Sequence, residues 1–371
     1  MKIIEKVSRL ENPRGAEIYI SLTVAGAASF EDAFKRLKEA YVSAAANLGL
    51  DSDSEIWVRF FLSDIQNQHG LIEKEGGSLK FCVGQRPLNS DYAALMAYHI
   101  KAEGLVKQAS SNGDELTVEH GGYRSVFGNY FPDSAADSEA QTGRIIEKMN
   151  AHLERHGARL ERDVLRTWYY IRDIDNNYQG MVKMRRVHYE ARGLTPQTRF
   201  IASTGIEGTA HEPWMLSFMT AMATVGLAPS QTRHLKALHC LSPTHVYGVN
   251  FERATLVHFG DRSHIHLSGT ASIDKDGQIV HPSDVGRQAE RMLHNVENLL
   301  NEGAMNCGNM QYIILYLRDA TEYKRLAPAF EERFGHQPMA VVEGPVCRPG
   351  WLVEIEGLAA ALNESGFAPF C

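Results

Sequence analysis

One pattern occurs three times in this chain of 371 residues, and it constrains the fold more than any other feature. An amphipathic helical stretch runs into a glycine, an apolar strand-like run follows, and that run stops at an aspartate. The helical faces are Phe34, Leu37, Tyr41, Ala44 and Leu48, then Ile145, Ile146, Met149 and Leu153, then Ala289, Met292, Val296, Leu299 and Leu300. Steps of three and four residues put each set on one side of a helix. Ser29, with Asp32 three residues on, supplies a cap-like start to the first helix. Gly49, Gly157 and Gly303 follow the three helices, where a chain commonly leaves through a left-handed residue. The strand-like runs close on Leu62-Ser63-Asp64, Ile171-Arg172-Asp173 and Leu317-Arg318-Asp319, so glycine and aspartate lie 15, 16 and 16 residues apart. A recurrence of this kind marks a repeat architecture.

The copies continue alike. A second helix is predicted at Tyr323 to Phe334 and at Met181 to Ala191, whereas the first copy has the polar stretch Glu73 to Gly77 and a lost or shortened helix. Apolar runs at Ala93 to Ile100, Trp214 to Ala223 and Trp351 to Ala359 close the copies, and Gly260-Asp261 joins two strand-like runs as a hairpin. Each copy therefore reads ββαβαβ, an α+β layer with helices on one face of a mixed sheet. The other face also needs burial, which three units gathered into a single-chain pseudo-trimer would provide. The units are expected at 1–115, 116–235 and 236–371, with no Gly/Ser- or Pro-rich linker to separate them.

Composition narrows the function classes. A formal charge of −7 gives no basic field for a nucleic-acid backbone, and no apolar run is long enough to span a bilayer. The first residues run into a charged segment rather than a leader. Five scattered cysteines without a CxxC pair suit reduced thiols in a cytoplasm. His258, His264 and His266 are read as residues of a half-exposed strand rather than metal ligands, and neither metal nor cofactor is expected.

The third unit resembles the Rid (reactive-intermediate deaminase) family, whose units are chorismate-mutase-like in fold. The resemblance lies in Ser268-Gly269-Thr270-Ala271-Ser272, Val346-Cys347-Arg348-Pro349 and Leu352-Val353-Glu354-Ile355-Glu356-Gly357. It weakens in the second unit and is faint in the first. Rid deaminases grip their substrate through an arginine after the second helix. Here Gln337-Pro338-Met339-Ala340 occupies that place, and Arg199 of the second unit is the alternative clamp. The tandem organisation, Tyr247-Gly248 ahead of Phe251-Glu252-Arg253-Ala254, and Cys347-Arg348-Pro349 ahead of Glu354 are more similar to the chorismatases, which cleave the enolpyruvyl ether of chorismate. That resemblance implies that Glu354 is the acid and Cys347 lines its pocket, where cysteine rather than alanine directs the reaction to 3-hydroxybenzoate.

The residue types suit that chemistry. Cleaving a vinyl ether starts with protonation of its methylene carbon, so the acid must keep its proton near neutrality. An apolar strand containing Leu352, Val353 and Ile355 would desolvate Glu354, and Glu356, on the same face, would add a like charge. A small anionic substrate with two carboxylates needs fixed cations, for which Arg253, Arg199, Arg192 and Arg348 are the candidates. Tyr247, Gly269 and Thr270 complete the expected substrate contacts. Cys347 has no His/Asn pattern around it and is read as a lining thiol. The alternatives are an imine deaminase using Arg199 and a non-catalytic binder of small carboxylates, the chain being a monomeric pseudo-trimer or a higher homo-oligomer.

Overall fold

The computed structural model describes residues 2–72 and 78–371. The first unit comprises β1 (Lys2–Asn12), β2 (Gly15–Ala25), α1 (Phe30–Asn47), β3 (Glu55–Leu62), the single turn α2 (Ile65–Gln68), β4 (Leu79–Gly84) and β5 (Ala93–Ala102). The second comprises β6 (Val106–Ala109), β7 (Glu115–His120), β8 (Tyr123–Tyr130), α3 (Ser138–Arg155), the turn α4 (Leu160–Asp163), β9 (Val164–Ile171), α5 (Ile174–Glu190), β10 (Ala202–Glu207) and β11 (Ser217–Val225). The third comprises β12 (Thr232–Leu235), β13 (Ala254–His258), β14 (Arg262–Ala271), α6 (Val285–Glu302), β15 (Met310–Leu317), α7 (Tyr323–Phe334), β16 (Met339–Glu343) and β17 (Val353–Leu362).

The sheets run β1-β2-β5-β3-β4, β10-β9-β11-β8-β7-β6 and β12-β13-β14-β17-β15-β16. In each, the last strand of the unit lies in the middle, antiparallel to both neighbours, and one parallel pair (β3/β4, β9/β10, β15/β16) forms an edge. The three sheets thus share one topology, an α+β arrangement of three similar units. The sheets take β6 into the second unit and β12 into the third, although the expected boundaries cut the chain after residues 115 and 235. Both are short edge strands, which hairpin pairing assigns and local composition does not.

Local signals explain the elements. Ser29 caps α1, accepting a hydrogen bond from the Asp32 amide, and Asp137 and Asp284 cap α3 and α6 in the same way. Gly49 and Gly157 take the left-handed conformation (φ 64° and 71°), but Gly303 does not; Ala304 does, at φ 59°. Gly303 has a packing reason instead, because a Cβ there would lie 2.4 Å from Ile265 Cδ1. Helix α5 starts at Ile174, ahead of the expected Met181, and the segment Glu73 to Gly77 lies outside the described residues.

The inner sheet faces meet in one core that draws on all three units: Tyr19, Phe81 and Tyr98, then Phe127, Trp168 and Phe218, then Tyr312, Ile355 and Leu358. His264 and His266 point into this core and are buried rather than half-exposed. His264 Nε2 lies 2.8 Å from Glu17 Oε2, which also accepts from Arg262 Nη1 at 3.0 Å. The segment ahead of Cys371 closes one end: Phe370 is 2% exposed, its amide donates to Asp261 at 2.6 Å, and its ring packs on Phe259 and His264. Among the described residues no helix is long and apolar enough to cross a membrane.

Candidate active site

Between the second and third units lies a narrow cavity. The second unit contributes Tyr178 and Arg185 from α5 and Ser203, Thr204 and Gly205 from β10; the third contributes Tyr247, Arg253, Gly269, Cys347, Arg348 and Glu354. Its free space is about 30 Å³, and two of its lining side chains, Tyr247 and Arg348, are half-buried.

Glu354 stands at the start of β17, paired with Tyr316 and Ala271 on the flanking strands. It is 5% exposed, and its pKa is pushed up to about 8, first by burial and then by the charge of Glu356, against the opposing pull of Arg166 and Arg253. At neutral pH this carboxyl carries its proton. The register of β14 against β17 slips between Leu267 and Thr270, and Gly269 sits in that irregularity. A Cβ on Gly269 would fall 2.2 Å from Glu354 Oε1, so only glycine lets the acid lie across the backbone. The Gly269 amide donates to Thr204 Oγ1 at 2.9 Å, which ties this spot to the second unit.

Three guanidinium groups line the same space. Arg253 is 4% exposed, donates twice to the Ser242 carbonyl (2.9 and 3.2 Å), and lies over the Tyr247 and Phe251 rings. Arg348 donates to the Tyr247 carbonyl at 2.7 Å and lies over Tyr247 and Trp351. Arg185, 1% exposed, donates through Nε to Asn250 Oδ1 at 2.9 Å, while its buried Nη2 has no hydrogen-bond partner among the described residues. Among the described residues none of the three has a carboxylate within ion-pair distance. Neutral groups aim these cations, and their charge is left for a ligand. A buried guanidinium nitrogen without an acceptor is costly unless a ligand oxygen completes it.

Cys347 is half-buried beside Tyr178, and burial followed by the proximity of Glu354 pushes its thiol up to about 12. It is a lining thiol and not a thiolate nucleophile.

Of the residues expected from the sequence, Glu354, Arg253, Tyr247, Cys347, Arg348 and Gly269 come together here, and four do not. Glu356 shares the face of β17 with Glu354 but lies deeper, outside the cavity lining, where it accepts from Arg166 (2.7 Å), Trp168 (2.8 Å) and Thr204; with its oxygens taken, it acts on Glu354 through charge. Thr270 is fully buried, its hydroxyl turned back to the Ser268 carbonyl at 3.1 Å. Arg199 lies outside the cavity in the field of Glu252 and Asp163, its pKa lowered by burial. Arg192 follows the end of α5 and faces His188, away from the cavity. Arg185 and Tyr178 were missed. Both fall on the buried face of α5 with Met181, Val182 and Tyr189, and an arginine at helical spacing among apolar residues was the available signal. Ser203, Thr204 and Gly205 reach the cavity from β10, the parallel edge strand that corresponds to β16 of the third unit.

The arrangement occurs once. Glu354 pairs with Tyr316, three residues before Asp319; the matching positions pair Phe218 with Tyr170 and Ala94 with Phe61. The other two units therefore carry phenylalanine and alanine where the third carries its acid.

Residues 255–361 match the family described as endoribonuclease L-PSP. A RutC family protein of Pyrococcus abyssi is 28% identical over 98 residues, which is 26% of this chain and 76% of that protein. A chorismatase crystal structure superposes with a TM-score of 0.68 at 18% identity, covering 94% of this chain and all of the other. RidA from an Antarctic Psychrobacter matches 35% of this chain and 99% of its own at 16% identity, with a TM-score of 0.29.

Proposed function

We propose, from the premise that the last unit belongs to the endoribonuclease L-PSP family and the whole chain has the chorismatase fold, that the protein removes pyruvate from chorismate or a related enolpyruvyl dicarboxylate. The observation that carries this reading is a protonated, buried glutamate in one cavity with three guanidinium groups that have no carboxylate of their own. Two carboxylates of a substrate would take up Arg185 on one wall and Arg253 with Arg348 on the other, each through charge-assisted hydrogen bonds. Glu354 then gives its proton to the methylene carbon of the enolpyruvyl group, and the adjacent ether carbon becomes cationic. Attack of the neighbouring ring hydroxyl on the ether-bearing ring carbon would break the ring carbon–oxygen bond and release pyruvate, the hydroxyl proton returning to Glu354. Opening of the resulting epoxide, with protonation of its oxygen and loss of the ring proton, would leave 3-hydroxybenzoate, the atoms of chorismate being divided between the two products. Cys347 beside the ring favours this product over a dihydrodiol. The Glu354 carboxylate formed in the first step is stabilised by Arg253 until it regains a proton.

A deaminase reading depends on Arg199 as the carboxylate clamp, and Arg199 does not line the cavity. The test is release of pyruvate from chorismate by the purified protein, followed with a coupled dehydrogenase. The expected outcome is turnover by the wild type and its loss in Glu354→Gln. In Arg185→Met, KM should rise on the order of 10- to 100-fold, as for loss of a charged hydrogen bond of ~1.5–3 kcal/mol. Absence of pyruvate from the wild type refutes the substrate assignment.

A further inference from the structure

At the centre, where the three sheets meet, is a second enclosed space, separate from the cleft of Glu354. Its lining includes Arg59 and Trp57 from β3, Trp168 from β9, His266 from β14 and Tyr312 from β15. Arg59 is 5% exposed, and its guanidinium lies over the rings of Trp168 (5.1 Å), Phe81 (5.3 Å) and Trp57 (5.6 Å). Among the described residues its buried Nε meets no hydrogen-bond partner, and neither does Nε2 of His266, itself 5% exposed. Among the described residues the carboxylate in ion-pair range of Arg59 is Glu356, 3.9 Å from Nη1, and its oxygens already accept from Arg166, Trp168 and Thr204. One carboxylate is thus divided between two buried guanidinium groups. The other buried carboxylate of the centre, Glu17, is engaged by Arg262, His264 and Tyr98.

A cation in a largely aromatic chamber, with half a counter-charge and a donor that meets no acceptor, is an arrangement that native interiors complete with an ion or ordered water. The free space is about 40 Å³. A single water takes roughly 10–15 Å³ of such space, so the chamber holds a few waters or one small ion and excludes a benzene-sized molecule. We infer that this chamber is a binding site for one small monovalent inorganic anion of halide size, held by the Arg59 guanidinium and an N–H of His266. The His266 ring is neutral, since burial pushes its pKa down to about 3, and a neutral imidazole still offers one N–H. This site shares no lining residue with the Glu354 cavity and stands whatever the substrate there.

The test uses bromide. Crystals of the full chain grown in sodium bromide are expected to show an anomalous-scattering peak in the chamber beside Arg59, absent in Arg59→Met, whose side chain suits the aromatic walls. In parallel, thermal melting at fixed ionic strength is expected to shift upward and saturably as bromide replaces gluconate in the wild type, and to stay flat in Arg59→Met. Wild-type crystals with no bromide peak in the chamber, and melting that is identical in the two salts, overturn the inference and leave the chamber to water.

Discussion

Replacing Glu354 by glutamine should abolish a loss of stability that grows as pH rises. Below the ordinary glutamate value of 4.5 both folded and unfolded chains carry the proton, so ionisation has no effect on folding. Between 4.5 and about 8 the unfolded chain releases it while the cavity holds it, and stability falls with rising pH; above about 8 the loss is complete. At ~1.36 kcal/mol per pKa unit, that gap corresponds to about 5 kcal/mol. Glutamine is uncharged throughout and escapes this loss. The stability difference between Glu354→Gln and the wild type should therefore grow by about 5 kcal/mol from pH 4.5 to 8.5 and then level off. With ~2.1 cal/mol/K of unfolding entropy per residue, this is a relative Tm gain of about 6 °C. Parallel melts and urea titrations of the two proteins across that range read it directly. A difference that stays constant between pH 5 and 8 would mean that Glu354 ionises at its ordinary value, and the reading of Glu354 as a neutral acid would fail.

Other outcomes follow from the same geometry. Gly269→Ala puts a methyl group 2.2 Å from Glu354 Oε1, so the acid is displaced; kcat for pyruvate release should drop at least ~100-fold, the usual effect of misplacing a reacting group. Cys347, with its thiol pushed up to about 12, should label with iodoacetamide far more slowly at pH 7.5 than a free cysteine, as peptide mass spectrometry of the folded protein would show; rapid labelling refutes the lining-thiol assignment. Phe370→Ala removes a ring packed on Phe259 and His264 and should cost about 3–5 kcal/mol in urea denaturation; a loss under about 1 kcal/mol would mean that the segment is not part of the core.

Much of the fold was legible because its signals are local. Ser29 caps where its spacing said it would, and β3, β9 and β15 each end two residues before the aspartate that closes the repeat. The site was legible in part, because its third-unit members sit in three short phrases: Tyr247 to Arg253, Ser268 to Thr270, and Cys347 to Glu354. What the sequence hid was the second unit's share. Arg185 comes from the middle of a helix and meets Glu354 only through packing between units, which no spacing along the chain encodes. Arg199 misled for the converse reason: its position in the repeat matched a clamp, but it turns toward Glu252 and Asp163. His264 and His266 read as half-exposed on strand alternation alone, because burial of a sheet's second face depends on the other two sheets.

The single occurrence of the acid has a consequence for how such a protein works. A ring of three identical chains carries every mutation three times, so a residue that is good for one cleft is forced on all of them. Tandem fusion removes that constraint: Phe218, at the position matching Glu354, stacks on Tyr170 and Phe131, and Ala94 fills the third. One polypeptide should therefore bind one substrate molecule, with hyperbolic saturation and a single-turnover amplitude of one equivalent per chain.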